Sequence, residues 1–257
     1  MENRPPAPAI PAFPEHAAGT RRPWVMAMSW RSLLFMHWPV DAEALRATLP
    51  EPVRPYLDTF DGRAWLGVVP FEMAGVRGRG VPPIPGLSRF PELNLRTYLR
   101  VHGKPGVWFY SLDAHSRVAV RVARKTFHLP YFDADMSCRR ETDHVHYQSR
   151  RTHRGAHDAV FRARYQPTGP VQPSEPDTLE HFLTERYCLF SLRPDGPLLR
   201  GDIDHAPWPL QPAEAEVQAC DMFKLIGREA PAEAPLLHYA DRVDVRAWWP
   251  VPETGLR

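Results

Sequence analysis

Between Glu92 and Val101 apolar and polar side chains alternate with a period of two, and this pattern constrains the fold more than any other in the chain. A period of two places successive side chains on opposite faces, so the stretch is predicted to be a β-strand with one apolar and one polar face. The polar or amphipathic side carries Glu92, Asn94, Arg96, Tyr98 and Arg100. Such a face meets solvent in a half-buried strand, but it lines a ligand cavity when the strand belongs to a closed barrel. Glu, Asn, Arg and Tyr are types that form binding sites, so both interpretations stay open here.

A second strand is predicted directly after the first, over residues 107–113 (VWFYSLD), because aromatic residues favour strands. The short glycine-containing stretch 103–106 between them predicts a turn, and the two strands then form a hairpin. The hairpin would set Trp108, Phe109 and Tyr110 beside the charged strand on alternating faces. We expect Trp108 and Tyr110 to wall a pocket there.

The chain holds 30 prolines among 257 residues. Proline has no backbone N–H and breaks helix interiors, so a helix-dominated fold is disfavoured and many short strands and loops are expected. An Asp-Gly pair at 61–62 predicts a hairpin turn between residues 53–57 and the strand that follows. The remaining predicted strands cover residues 32–38, 63–73, 133–140, 144–151, 158–166, 187–192 and 198–205, with one or two more within 236–249.

Two short helices are predicted from their N-terminal signals. Asp41 is placed to cap a helix over 42–48, and residues 177–180 (DTLE) have the spacing of a capping box before a helix over 178–186. The segment 114–127 fits a strand and a helix equally well. The Gly/Pro-rich loop over 75–86 is interpreted as a surface connection or, alternatively, as a lid over a pocket.

Composition excludes several classes of protein. The net charge is +2, so the chain has no overall basic field that would favour binding to nucleic acid. The sequence contains no run of about 18 apolar residues, so no membrane span is predicted. The three cysteines are odd in number and contain no CxxC pair, which is typical of free thiols in a reducing compartment. Without an apolar leader segment at the start, we expect a cytoplasmic protein. A homo-oligomer is compatible with the sequence.

No metal or cofactor site is predicted. His144 and His146 share a strand face, but a metal site needs three or four converging ligands. Residues 1–23 contain six prolines and several alanines, and we expect them to form a disordered arm. Residues 24–257 show no repeat and no change in composition, so one domain is predicted there.

Several short segments together resemble one family of bacterial proteins. In chain order they are 37–41 (HWPVD), 60–65 (FDGRAW), 69–71 (VPF), 90–98 (FPELNLRTY), 106–109 (GVWF), 129–132 (LPYF), 182–187 (FLTERY) and 207–210 (PWPL). They resemble the DUF2071, or YqjF-like, family, which is itself similar to the acetoacetate decarboxylases. The resemblance implies a β-rich α+β fold, a mostly antiparallel closed β-barrel of acetoacetate-decarboxylase-like type with a few short helices.

The resemblance also implies a buried pocket, but one that lacks the decarboxylase lysines. Those enzymes form a Schiff base between a keto acid and a lysine of a Phe-Pro-Lys-Lys motif, and a glutamate lies on an earlier strand. Here residues 90–92 match the glutamate motif, while Tyr131 and Phe132 stand where the two lysines are expected. Neither side chain has a primary amine, so Schiff-base chemistry would need another lysine. Lys125 is the candidate for that alternative.

Three hypotheses follow for the function. In the first, the pocket binds or transforms a small organic (keto) acid. Arg96 clamps its carboxylate, and Glu92 and Tyr131 act as acid/base or hydrogen-bonding groups. The other predicted substrate-binding residues are Asn94, Tyr98, Trp108, Tyr110 and Phe132. In the second, the chain is a ligand-binding or interaction module without turnover, and in the third it is a Schiff-base decarboxylase that uses Lys125.

Overall fold

The computed structural model of the chain describes residues 22–253 apart from 143 and 195. Within these residues twelve strands make one curled sheet, and three α-helices and two short 3-10 helices (Arg54–Tyr56 and Met222–Ile226) connect them. The strands are β1 (Met26–Val40), β2 (Ala64–Gly78), β3 (Phe90–Val101), β4 (Lys104–Ala114), β5 (Tyr131–Glu141), β6 (His144–Arg151), β7 (Val160–Pro167), β8 (Cys188–Leu192), β9 (Leu198–His205), β10 (Gln211–Cys220), β11 (Leu236–Ala247) and β12 (Val251–Pro252). The helices are α1 (Ala42–Arg46), α2 (Arg117–Thr126) and α3 (Leu179–Thr184).

Nine strands close into a barrel, which confirms the predicted fold class. The order runs β4-β3-β2-β1-β11-β10-β7-β6-β5 and returns to β4. Each neighbouring pair is antiparallel except the closing pair, in which Leu112 of β4 lies opposite Tyr131 of β5 in parallel. The strands β8 and β9 bridge β4 and β11 on the other side, with β4 and β8 again parallel. The five strands from β4 to β11 are therefore shared by two closed rings.

The shared sheet is buried on both faces, and each face belongs to a different core. From β1, Leu34 and Met36 pack inside the nine-strand ring with Tyr147 and other residues of β5, β6 and β7. Phe35 points to the opposite core, which packs α2 and the segment before β10 against the sheet. Strands buried on both faces read as continuous apolar runs, which explains the sequence of β1.

Two glycine-containing turns lie near the predicted positions, but the elements around them differ from the predictions. His102 and Gly103 both have positive φ, 49° and 80°, and make a two-residue turn of the kind that matches strand twist. The β3–β4 hairpin turn is thus centred before the predicted 103–106. The Asp61-Gly62 pair also makes such a turn, but the residues before it form a 3-10 helix around Pro55 instead of a strand.

The helix caps confirm one prediction and correct another. Asp41 accepts a hydrogen bond from the backbone N–H of Ala44 at 2.7 Å, so α1 begins as predicted. In α3 the capping side chain is Thr178, which accepts from the N–H of His181 at 3.3 Å. The capping box assigned to Asp177 was therefore wrong by one residue. The ambiguous segment 114–127 resolves into the end of β4 and α2, whose N-cap is Ser116.

Strand β10 had no counterpart in the sequence analysis. It alternates alanine and glutamate over much of its length, residue types that are depleted in strands. It forms because β7 pairs with it on one side and β11 on the other.

No helix in the described part of the chain is long and apolar enough to cross a bilayer. Of the predicted arm, only Arg22 and Pro23 belong to the described residues.

Candidate functional site

A cavity of about 530 Å³ opens in the second ring, between the shared sheet, α2 and the loop that follows β2. Its walls are mostly apolar. The buried polar side chains that reach it come from four parts of the chain: Glu92 and Arg96 of β3, Tyr131 of β5, Thr184 and Arg186 at the end of α3, and His205 of β9. Elements far apart in sequence therefore place these groups around one space.

The polar face of β3 is turned into the protein rather than toward solvent. Leu93, Leu95 and Leu99 point into the nine-strand core, so the alternating positions point into the second ring. On that face Glu92 is 3 % exposed and Arg96 is 9 % exposed, and both line the cavity. Of the two interpretations of this strand, the structure therefore shows the barrel strand.

Glu92 and Tyr131 form a buried hydrogen-bonded pair. The Tyr131 hydroxyl donates to Oε2 of Glu92 at 2.9 Å, although β4 lies between the strands that carry them. Burial raises the pKa of Glu92 to about 8; the Tyr131 hydrogen bond opposes this shift and nearby Asp113 adds to it. Burial, reinforced by Glu92, raises the pKa of Tyr131 well above its ordinary value. Near neutral pH this corner of the cavity holds two protonated oxygen acids.

Arg96 is a buried guanidinium without a carboxylate partner among the described residues. Its Nη2 donates to the carbonyl of Leu183 at 3.2 Å, and its Nε has no hydrogen-bond partner there. The guanidinium lies over the rings of Phe35 and Tyr98, with its Cζ 5.1 and 5.6 Å from their centroids. Ring faces attract a cation but do not neutralise it. Gly67 makes room for it, because a Cβ there would lie 3.2 Å from Cγ of Arg96.

Arg186 brings a second guanidinium to the cavity. Its Nη1 donates to Oδ2 of Asp58 at 2.9 Å and its Nε to the carbonyl of Phe182 at 2.6 Å, while Nη2 has no partner among the described residues. Arg100 binds the same Asp58 carboxylate at 3.2 Å from outside. One carboxylate thus serves two guanidiniums, and Arg96 adds a third. The cavity wall here is positively charged.

His205 and Trp208 complete the polar lining. Nδ1 of His205 lies 2.8 Å from the carbonyl of Ala206, an acceptor, so Nδ1 carries the proton. Burial lowers the pKa of His205, and the carbonyls of Ala206 and Arg186 oppose this shift. The indole N–H of Trp208 has no hydrogen-bond acceptor among the described residues. Both side chains line the cavity and could hydrogen-bond a ligand.

Five of the predicted binding residues lie outside the cavity lining. Asn94 is buried between Glu92 and Arg96 without reaching the cavity, and Tyr98 supports the arginines while its hydroxyl lies 2.6 Å from Nε2 of His37. Trp108 and Tyr110 point into the nine-strand core.

Strand alternation explains why Trp108 and Tyr110 do not reach the cavity. On β4 the position that shares the face of Arg96 is Phe109, and it is Phe109 that lines the cavity. Phe132 also points away, beneath the guanidinium of Arg151 at 4.2 Å. The structure therefore brings together only three of the eight predicted site residues at the cavity, Glu92, Arg96 and Tyr131.

None of the three lysines of the chain lines the cavity. Lys104, Lys125 and Lys224 are all exposed, and Lys125 lies near the end of α2 on its outer side. The position that the decarboxylase motif assigns to a lysine is occupied by Tyr131, facing Glu92. The described residues also contain no cluster of three or more His, Cys, Asp or Glu side chains placed to hold a metal ion.

Sequence reasoning missed Thr184, Arg186, His205 and Trp208. Three of them lie in the segments 182–187 and 207–210 that carried the family resemblance. Nothing in those segments distinguishes a cavity residue from a surface residue, because their convergence depends on the packing of α3 and β9 against β3. The one available signal was that Arg186 stands in a resemblance motif, next to Glu185 and Tyr187.

Comparison with known proteins agrees with this architecture. Uncharacterized protein YqjF of Bacillus subtilis (strain 168) is 45% identical over 225 residues, which cover 88% of this chain and 91% of that protein. An acetoacetate decarboxylase-like enzyme from Sphingomonas wittichii RW1 superposes with a TM-score of 0.60 at 13% identity, covering 91% of this chain and 95% of that one. The enduracididine biosynthesis enzyme MppR, solved in complex with pyruvate, has a TM-score of 0.59 at 13% identity, with coverage of 95% and 96%.

The two solved structures share the fold with this chain, and at this identity they show no more than the fold. The sequence match is more specific. Residues 27–244 match the family DUF2071, described as an uncharacterized conserved protein. The chain therefore belongs to the DUF2071 family, whose barrel is that of the acetoacetate decarboxylase-like enzymes.

Proposed function

We propose that the chain binds a small organic acid in this cavity, with the carboxylate on Arg96, and that Glu92 and Tyr131 exchange protons with the bound molecule. The observation that carries the proposal is Arg96 itself. Its guanidinium is buried, lines the cavity and has no carboxylate partner among the described residues. An unpaired buried charge is costly, and a ligand carboxylate would remove that cost by a bidentate contact.

The charge around Arg96 favours an anion over a cation. Arg186 reaches the same cavity, and Asp58, its one carboxylate partner within residues 22–253 as described, is shared with Arg100. Glu92 supplies no compensating charge near neutral pH, because its pKa is raised to about 8. An entering carboxylate therefore meets two buried guanidiniums, and the other lining carboxylate, Asp202, is paired with Arg200 at 2.7 Å.

Glu92 is suited to acid/base work on the bound acid. A group is most effective in proton transfer when its pKa lies near the operating pH, and burial has brought this one close to that range. In the ionised form it can take a proton from the carbon next to the carbonyl of a 2-oxo acid. The C–H electron pair then becomes the enolate double bond, negative charge develops on the carbonyl oxygen, and the proton rests on Glu92.

Schiff-base chemistry is not part of the proposal. All three lysines are exposed and outside the cavity, and Tyr131 fills the expected lysine position. Incubation with a 2-oxo acid followed by borohydride is expected to leave the protein mass unchanged. A stable adduct on Lys125 would support the decarboxylase alternative instead. The MppR structure with pyruvate supports the binding part of the proposal, since that protein has the same fold and holds a 2-oxo acid.

Titration calorimetry with 2-oxobutanoate tests the binding. Arg96→Met keeps the apolar length of the side chain and removes the charge, and we expect its Kd to rise at least tenfold. Arg150→Met is the matched control, because Arg150 is 70% exposed on β6, away from the cavity lining. Equal Kd values for Arg96→Met and the wild type would refute the role of Arg96.

The second candidate function is a binding module without turnover, and the absence of any lysine from the cavity favours it. Measuring proton exchange on the ligand separates this module from an enzyme. In D₂O the wild type is expected to exchange the C3 protons of 2-oxobutanoate faster than buffer does, measured by NMR. Glu92→Gln keeps the shape of the side chain and is expected to abolish that gain. Binding by the wild type without any faster exchange would assign the chain to the binding module.

A further inference from the structure

We infer that the ligand is an amphipathic acid, with its carboxylate at the arginine end of the cavity and an apolar chain that runs out to the mouth. This inference rests on the proposed function and narrows its ligand class. The observation behind it is where the polar and apolar side chains of the cavity lie, which is the reverse of their places in an ordinary surface cleft. The buried polar groups, Glu92, Arg96, Tyr131, Arg186 and His205, lie deep, and the most exposed side chains of the lining are apolar. The two partly exposed ionisable side chains of the lining have partners of their own: Arg77 donates to the carbonyl of Gly75, and Asp202 binds Arg200.

The rim is formed by large apolar side chains that are about half exposed. Eight large hydrophobic residues are exposed among the described residues, and six of them line this cavity. These six are Val81 (51%), Ile84 (55%), Leu87 (49%), Val118 (57%), Val122 (53%) and Trp249 (50%). Scattered exposed apolar residues need no explanation, but a contiguous set around one opening marks a binding surface.

Helix α2 shows that the apolar rim belongs to the cavity. Val118 and Val122 are four residues apart and share one helix face, and the smaller Ala119 and Ala123 lie beside them on the lining. The basic residues of α2 include Arg121, which binds Asp133 at 3.0 Å instead of facing the opening. The helix thus presents an apolar stripe to the mouth of the cavity, although Val118 and Val122 in that stripe are exposed to solvent.

The size of the cavity agrees with a chain rather than with a three- or four-carbon acid alone. About 530 Å³ lies within the range of roughly 300–1,000 Å³ typical of pockets for drug-sized ligands. A very short acid on Arg96 would leave most of this apolar volume in contact with water. A ligand whose chain extends from Arg96 past Phe109 to the rim would remove that contact and cover the exposed valines.

A homologous series of linear 2-oxo acids from four to ten carbons tests the inference by calorimetry. For the wild type we expect Kd to fall about fourfold for each added methylene that becomes buried, until the chain passes the rim. In the double variant Val118→Ser/Val122→Ser the gain for the longer acids is expected to shrink, while Kd for the four-carbon acid stays unchanged. Both valines are exposed, so the fold should tolerate the change.

The matched control is Val171→Ser/Val217→Ser, since these two valines are also exposed (51% and 40%) but lie outside the cavity lining. It should reproduce the wild-type series. If the four-carbon acid binds and longer chains bring no gain, the inference is wrong and the proposed function stands. If no acid of the series binds, both are wrong.

Discussion

Replacing Glu92 with glutamine is expected to remove a large pH dependence from the stability of the fold. The carboxyl is buried and its pKa is raised from 4.5 to about 8. Below pH 4.5 it is protonated in the folded and the unfolded chain alike, and it has no effect on their balance. Between pH 4.5 and 8 the unfolded chain releases the proton while the folded chain retains it, so the free energy of unfolding falls as pH rises. Above about pH 8 both states are ionised and the fall ends.

The size of the effect follows from the gap between the two pKa values. A gap of about 3.5 pH units at 1.36 kcal/mol per unit corresponds to a loss on the order of 4–5 kcal/mol between pH 4.5 and 8. Glutamine cannot ionise, and its amide oxygen can still accept from the Tyr131 hydroxyl. The variant should therefore gain stability relative to the wild type as pH rises.

Urea unfolding at pH 5 and pH 8 measures this difference. Burial lowers the pKa of His37 and of His205, which gives a slope of the opposite sign, but both proteins share it and it cancels in the comparison. Glu216→Gln, at an exposed position on β10, serves as the control and should follow the wild type. If Glu92→Gln and the wild type lose equal free energy between the two pH values, Glu92 ionises normally and the burial reasoning is refuted.

Three further substitutions test the packing and the charges. Arg96→Met should leave the free energy of unfolding unchanged or raise it, because an unpaired buried charge is replaced by an apolar chain; a loss above about 2 kcal/mol in urea unfolding would contradict this. Gly106→Ala should destabilise by about 1–3 kcal/mol, since a Cβ there would lie 2.5 Å from the ring of Phe190, and a thermal midpoint equal to the wild type would contradict it. Arg151→Met removes the partner that Asp113 binds at 2.6 Å in the barrel interior and should cost roughly 3 kcal/mol or more at pH 7; a cost below about 1 kcal/mol, as at an exposed pair, would refute it.

The strand pattern predicted more of this fold than composition did. Alternation from Glu92 to Val101 gave a strand with one polar face, and the structure shows that strand. The strand itself does not show whether its polar face meets solvent or a cavity, because that depends on β8 and β9, which close the second ring on that side of the sheet. The resemblance of segments spread along the chain supplied the closed barrel that the periodicity alone left open.

Part of the candidate site could likewise be predicted from the sequence, and part of it could not. Glu92 and Arg96 follow from one strand, and Tyr131 follows from the family motif. The choice of Trp108 over Phe109 failed because a single strand does not show which of its faces meets a cavity. Arg186 and His205 come from elements that reach β3 only after the second ring closes, so no local spacing relates them to it.

The measurement that tests the central claim most directly is a structure of the protein with a medium-chain 2-oxo acid bound. We predict a carboxylate within about 3.2 Å of the guanidinium of Arg96, no covalent bond between ligand and protein, and the chain directed toward Val118 on α2. A ligand bonded to a lysine, or one bound with its carboxylate in solvent and its chain at Arg96, would contradict the account.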